Sequence, residues 1–174
     1  KEVAETLASS RHGVACFIAD SVFSSDGIYE IPKGFLKKIY QEIRSFGGVV
    51  IADEVQSGFG RLGDQMWAYQ DDAVVPDIVT MGKPMGNGHP VSALLTHREL
   101  IESLDQAYNG NSYFNTFGGN PVSAAAALSV LDIIEEDSLI DQAGQVGDYL
   151  KKQLRNTLQN KESVVEIRGK GLFL

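Results

Sequence analysis

Apolar residues occur in short blocks separated by glycines, prolines and acids. Residues 14–19 (VACFIA) are an unbroken apolar run of strand length, closed by Asp20 and Ser21. After a loop over 27–32, Phe35, Leu36, Ile39, Tyr40 and Ile43 recur every three or four positions, which predicts an amphipathic helix over 33–46. Gly47-Gly48 ends it, and 49–52 (VVIA) form a second buried strand running into Asp53-Glu54. A polar, Gly-rich stretch from Gln56 to Asp64 follows, with a short helix around 65–70. A third strand spans Ile78 to Met81 and a fourth Val91 to Thr96. Asn87-Gly88 between two apolar runs favours a hairpin, so the fourth strand is expected to run antiparallel to the third. Past a Gly/Asn/Ser-rich stretch (109–120), Asn120 can cap a helix over 121–136 with Pro121 at its first position. That helix is rich in alanine, which permits close packing. A second long helix (138–159) and a strand (Val164 to Ile167) complete the pattern. Strands and helices alternate with short connections, which reads as α/β with a mostly parallel sheet.

Composition narrows the function classes. The 174 residues carry 15 Lys+Arg against 23 Asp+Glu, a net charge of −8. That balance argues against a generic binder of nucleic acid, which needs a basic footprint. A hydrophobic fraction of 43% supports a real core and excludes disorder as a description of the whole. Cys16 is the only cysteine, so no intramolecular disulfide and no cysteine-rich zinc site exists. Its apolar neighbours make it most simply a small buried hydrophobe. No run reaches the ~18–20 apolar residues of a membrane span, and the first residues resemble neither a signal nor a transit peptide. A cytoplasmic setting is the default expectation. The chain has no initiator Met and stops on Gly171-Leu172-Phe173-Leu174, so a fragment of a longer protein is expected.

Ligands of open α/β sheets sit beyond the carboxyl ends of the strands, where three singular features of this sequence fall. Asp53 and Val55 share one face of the second strand, while Glu54 points to the other. A carboxylate beside an apolar side chain suits a flat heteroaromatic cation; equally, Asp53 can simply terminate the strand. Lys83 follows the third strand. It can point into solvent, or, held in a cleft, lose solvation and become a nucleophile and general base. Thr116-Phe117-Gly118-Gly119-Asn120-Pro121 combines a hydroxyl, two glycines and a helix N-terminus, which suits a phosphate. The alternative is a Gly-rich turn with an Asn cap. Together the three supply an acid for a ring nitrogen, a lysine for an imine and a phosphate seat, the handles of pyridoxal 5'-phosphate.

At these residues the sequence resembles the class III (fold type I) pyridoxal-phosphate-dependent aminotransferases. The resemblance lies in IADEVQSGFGRLG (51–63), PDIVTMGKPMGNGHPVSALLT (76–96) and FNTFGGNPVSAAAALSVLDII (114–134), in order and spacing. It implies an incomplete three-layer α/β sandwich whose mostly parallel sheet has one antiparallel strand. Residues 1–137 would belong to the cofactor-binding large domain, and 138–174 would lead into a C-terminal small domain. The resemblance further implies that Lys83 forms the Schiff base and moves a proton. Asp53 would keep the pyridine nitrogen protonated, Val55 would pack on the ring, and Gln56 would reach its hydroxyl side. Thr116 would bind the cofactor phosphate, typically that of the partner subunit in a homodimer with interfacial active sites. The implied substrates are an amine or amino acid and an oxo acid.

One departure concerns specificity. Many members carry Glu-Pro-(Ile/Val)-Gln-Gly where this chain has Asp20-Ser21-Val22-Phe23-Ser24-Ser25. The run Gly82 to Pro90 is most similar to a branch containing phospho-lyases, which eliminate phosphate from phosphorylated amines. A remote alternative reads the apolar run before Asp53-Glu54 as part of a P-loop ATPase, although no G-x-x-x-x-G-K-[ST] occurs. Arg61 could meet a substrate anion or pair with Asp64 or Glu54. His89 is expected to hydrogen-bond to backbone, and Trp67 and Tyr69 to pack a short helix on the sheet. His12 and His97 lack ligand-spaced neighbours, so no metal is assigned.

Overall fold

In the computed structural model, which describes residues 2–110 and 113–174, four short strands form one sheet. They are β1 (Cys16–Ala19), β2 (Val49–Asp53), β3 (Ile78–Met81) and β4 (Ala93–Thr96), side by side in chain order. The first three are parallel and β4 is antiparallel to β3. Residues 111–112 of the Gly/Asn/Ser-rich stretch and Lys1 lie outside the described residues.

Strand parity gives the sheet two unlike faces. Val50 and Ala52 of β2 are wholly buried, with Phe17 and Ala19 of β1 in register beside them. This face is covered by helix α2 (Phe35–Ser45), which follows α1 (Glu2–Ser9). Its buried residues Leu36, Ile39, Tyr40 and Ile43 have the spacing of one helical stripe, and they cluster with Val50. Burying each of the aliphatic ones, Leu36, Ile39 and Ile43, stabilises by about 1.5–3 kcal/mol. The helix start is capped from afar. Gly34 offers no side chain, and Asp72 instead accepts from the backbone N–H of Gly34, Leu36 (2.8 Å) and Lys37 (3.3 Å). Its end is held by Asp77, which accepts from Arg44 Nη2 at 2.7 Å and from Val50 N at 2.8 Å.

The opposite face carries Cys16, Ile18, Val49, Ile51 and Asp53. Cys16 is exposed and Ile18 is 56% exposed. The expected burial of Cys16 is therefore corrected: it stands on the open face of an edge strand.

Helices α3 (Arg98–Ala107), α4 (Pro121–Glu136) and α5 (Leu139–Leu158) complete the order. Asn120 caps α4 as expected, its Oδ1 accepting from Ser123 N at 2.9 Å. Backbone meets backbone where α5 crosses the 60–63 loop and the last residues. A Cβ at Gly144 would lie 2.6 Å from the Gly63 carbonyl oxygen, and one at Gly147 only 2.0 Å from that of Gly171. No side chain fits there. Two elements differ from expectation. Residues 164–167 form no strand; Val164 N instead donates to Lys161 O in a turn, and Lys170 bridges Phe173. The connection between β3 and β4 is not a tight hairpin, because Lys83–Gly86 first form a turn of 3₁₀ helix.

Candidate active site

The parallel register sets β2 and β3 side by side, with Asp53 opposite Thr80. Asp53 is the last residue of β2 and lies on the open face. Its Oδ1 accepts from Val55 N at 3.0 Å and from Thr80 Oγ1 at 3.2 Å, so the carboxylate is fixed by its own turn and by the neighbouring strand. Val55 lies beside the end of β3: a Cβ placed on Gly82 would meet Val55 Cγ1 at 3.6 Å, an ordinary contact. Lys83 follows directly. The chain therefore gathers Asp53, Val55 and Lys83 at adjoining carboxyl ends of two parallel strands, where such sheets place their ligands.

Lys83 is exposed and has a φ of +35°. A side-chain-bearing residue avoids positive φ because Cβ crowds the following carbonyl, at roughly 1–2 kcal/mol. Here it lies between Gly82 and Pro84, and α4 packs against the turn it opens. Strained backbone of this kind concentrates at functional positions.

Gln56 extends the site toward β1. Its Nε2 donates to Ser24 Oγ and Ser25 Oγ, both at 3.0 Å. Asp20, at the end of β1, is spent on its own loop: it accepts from Val22 N at 3.0 Å, Ser24 N at 2.9 Å and Ser24 Oγ. An acid thus stands at the end of β1, its carboxylate turned onto the loop that carries Ser24.

Thr116 lies apart from this group. It sits in the exposed 113–119 segment before α4, beside Tyr113, Phe114 and Phe117, each more than four-fifths exposed. A groove of about 600 Å³ separates that segment from the 89–92 turn. His89 spans it, with Nε2 2.8 Å from Ser123 Oγ, so its partner is a side chain and not the expected backbone.

The remaining candidates are accounted for structurally. Asp64 pairs with Lys170 and not with Arg61. Trp67 meets Phe59 edge-on at 5.1 Å, and Tyr69 packs against the α2 cluster. Among the described residues no group of His, Cys, Asp and Glu could hold a metal ion, and no helix is long and apolar enough to cross a membrane.

Glu54 is the residue whose part the pattern did not disclose. It is 0% exposed. Its Oε2 accepts from Ser57 Oγ and Ala68 N, and its Oε1 from Tyr69 N, all at 3.0 Å. Burial pushes its carboxyl above the ordinary range, while these hydrogen bonds oppose the shift. Burial, followed by the Glu54 charge, pushes the Tyr40 phenol up to about 12. The signal was parity: residues 50, 52 and 54 share the face that α2 covers.

The Aminotransferase class-III family model matches residues 1–174. An "Alanine--glyoxylate aminotransferase 2-like" protein of Drosophila melanogaster is 45% identical over 100% of this chain and 35% of its own length. An "Ethanolamine-phosphate phospho-lyase homolog 1" of Caenorhabditis elegans is 43% identical over 99% of the chain and 37% of its own. A phospholyase from Arthrobacter, solved in complex with phosphoethanolamine, superimposes with a TM-score of 0.88 at 46% identity, over 98% of this chain and 40% of that one. The chain thus spans little more than a third of the length of these relatives. With its sheet order, the family match over its whole length and these likenesses, the chain belongs to the class III aminotransferase family.

Proposed function

We propose that the protein containing this chain is a pyridoxal-phosphate-dependent aminotransferase that moves an amino group from an amine or amino acid to an oxo acid. The observation that carries this reading is the juxtaposition of Lys83 with the Asp53–Val55 pair across the ends of β2 and β3. The donor set fits the cofactor. A carboxylate fixed by two hydrogen bonds can hold a protonated ring nitrogen, and an adjoining valine offers an apolar surface to a ring. A primary amine on a constrained turn can hold an aldehyde covalently. When bound, pyridoxal phosphate supplies an electron-withdrawing ring that accepts the electron pair released at a substrate carbon. Lys83 moves the proton at that carbon, Asp53 keeps the proton on the ring nitrogen, and Gln56 donates toward the Ser24–Ser25 side. Thr116 serves the phosphate of the partner subunit in a homodimer, a reading supported by its exposed position among uncovered aromatics.

The likeness to phospho-lyase relatives favours a second reading, elimination of phosphate from a phosphorylated amine. Borohydride reduction of the full-length holoprotein is expected to leave a pyridoxyl group on Lys83, found by peptide mass; an unmodified Lys83 overturns the cofactor reading. Supplying phosphoethanolamine separates the two chemistries. Free phosphate without added oxo acid marks elimination, and oxo-acid-dependent amine loss marks transfer.

A further inference from the structure

We propose that Glu54 is a positioning residue for the cofactor-facing pair Asp53 and Val55, acting through a buried three-donor clasp on the far side of the same turn. The inference rests on the reading above but stands on geometry of its own. Three consecutive residues leave β2 in alternating directions. Asp53 and Val55 are tied together on the open side by the Val55 N–H, which donates to Asp53 Oδ1 at 3.0 Å. Between them, Glu54 anchors in the opposite direction, to Ser57 Oγ and to two successive backbone N–H groups, of Ala68 and Tyr69. Its own N–H donates to Thr80 O at 2.9 Å, so the same residue also secures the turn to β3. Thr80 thereby holds both residues, Glu54 through its carbonyl and Asp53 through its Oγ1, 3.2 Å from Oδ1, while Glu54 ties the turn to the 68–72 segment.

The clasp demands an acceptor on both branches of the side chain. Ala68 and Ser57 deliver hydrogens to one oxygen and Tyr69 delivers one to the other, so an ionised carboxylate accepts all three. A glutamine of the same shape would turn an NH₂ group toward at least one N–H, leaving a buried donor without an acceptor. Among the described residues no lysine or arginine contributes to holding the charge. A buried carboxylate without a cation is costly unless the hydrogen bonds to it are retained. The clasp is therefore stiff: any slip of the turn breaks donors in a dry interior. Asp71 and Asp72 close the same segment from its other end, through Lys170 at 2.6 Å and the α2 backbone. The 68–72 segment is thereby a fixed anchor and not a loose loop.

The test uses the full-length protein with Glu54→Gln, and Ser57→Ala as the milder variant that removes one donor only. The first readout needs no cofactor: amide hydrogen exchange of the apo protein. Glu54→Gln is expected to speed exchange at Val55 about tenfold or more, together with Ala68 and Tyr69. The second is the pH titration of the Lys83-bound cofactor's absorbance, which is expected to shift, with cofactor affinity falling about tenfold. Ser57→Ala is expected to move both in the same direction by less, and it serves alone where Glu54→Gln does not fold. Faster exchange at Ala68 and Tyr69 with Val55 protection, absorbance titration and affinity unchanged would overturn the proposal and reduce Glu54 to a local brace. Failure of the cofactor reading shows separately, as wild-type protein that leaves Lys83 unmodified, and the Val55 exchange result then still decides whether Glu54 orients the turn.

Discussion

The two faces of the sheet divide the work of the molecule. On the α2 face, Val50 and Ala52 are wholly buried beneath Leu36, Ile39, Tyr40 and Ile43, and even the polar residue there, Glu54, is fully enclosed and bonded. On the other face, Ile18 is 56% and Leu94 57% exposed, and Asp53 is half-buried. The covered face contributes most of the apolar burial, so it carries stability. The open face presents Asp53, to which the proposed function assigns chemistry. A substitution should therefore disturb folding or function according to the face on which it lies, although Asp53 and Glu54 are adjacent in sequence.

The largest effect tests the open face. In the full-length protein, Asp53→Asn is expected to lower turnover by a factor on the order of 10²–10⁴, because the ring proton loses its counter-charge. Its urea-unfolding free energy should move by less than about 1 kcal/mol, since Asn still accepts from Val55 N–H and Thr80. A large loss of stability with turnover retained would break the division between the faces.

The covered face should answer in the other coin. Ile39→Ala removes a side chain that is 8% exposed at the centre of the α2 stripe. It is expected to destabilise by about 2–5 kcal/mol, read from urea unfolding followed by circular dichroism. Leu94→Ala, on the open face, should change stability by less than about 0.5 kcal/mol in the chain as described. Equal effects at the two positions would mean that the open face is closed by other contacts.

How much of this was legible follows from the same division. Parity and helical spacing placed β1 to β3 and α2, because a buried stripe imposes a strict period on the sequence. The Asn120-Pro121 pair placed the start of α4 from local chemistry alone. Helices α1 and α3 went unread although Val3, Ala4 and Leu7, and Leu100, Ile101 and Leu104, have helical spacing; neither helix buries a residue. The 164–167 segment resembled a strand, but a strand needs a neighbour and among the described residues none adjoins it; Val165 is 98% exposed. At the candidate site, the placement of Asp53, Val55 and Lys83 at adjoining strand ends was legible through parity and strand length. The clasp on Glu54 was not, since its donors Ala68 and Tyr69 arrive from a turn whose path no local pattern dictates. The cap that Asp72 gives α2 escaped for the same reason.

Acid sharpens the comparison through two carboxylates whose shifts have opposite sign. Burial alone would raise the Asp77 carboxyl, but hydrogen bonds from Arg44 and Val50 N–H outweigh it and hold it below the ordinary range. A depressed carboxylate lends stability that is fully present above its unfolded pKa of ~3.9 and is lost as pH falls through its folded value. Glu54 is raised, so its folded form takes up a proton more readily and its contribution grows as pH falls. Asp77→Asn is expected to destabilise by about 1–3 kcal/mol at pH 7, with the gap to wild type narrowing below pH ~4. A gap that holds constant from pH 7 to 3 would show that Asp77 acts by shape and not by charge.

A small effect at Lys83 is the most pointed, because it sets stability against function at one residue. Lys83 holds a φ of +35°, a conformation that glycine adopts without a Cβ penalty. Lys83→Gly is expected to abolish covalent cofactor attachment while raising the unfolding free energy of the apo protein by about 0.5–1 kcal/mol. The gain is the relief of backbone strain, less the greater freedom of glycine in the unfolded chain. A fall in apo stability would mean that the lysine side chain helps hold the turn. A rise would mean that the open face keeps a strained residue at this position for the amine it presents.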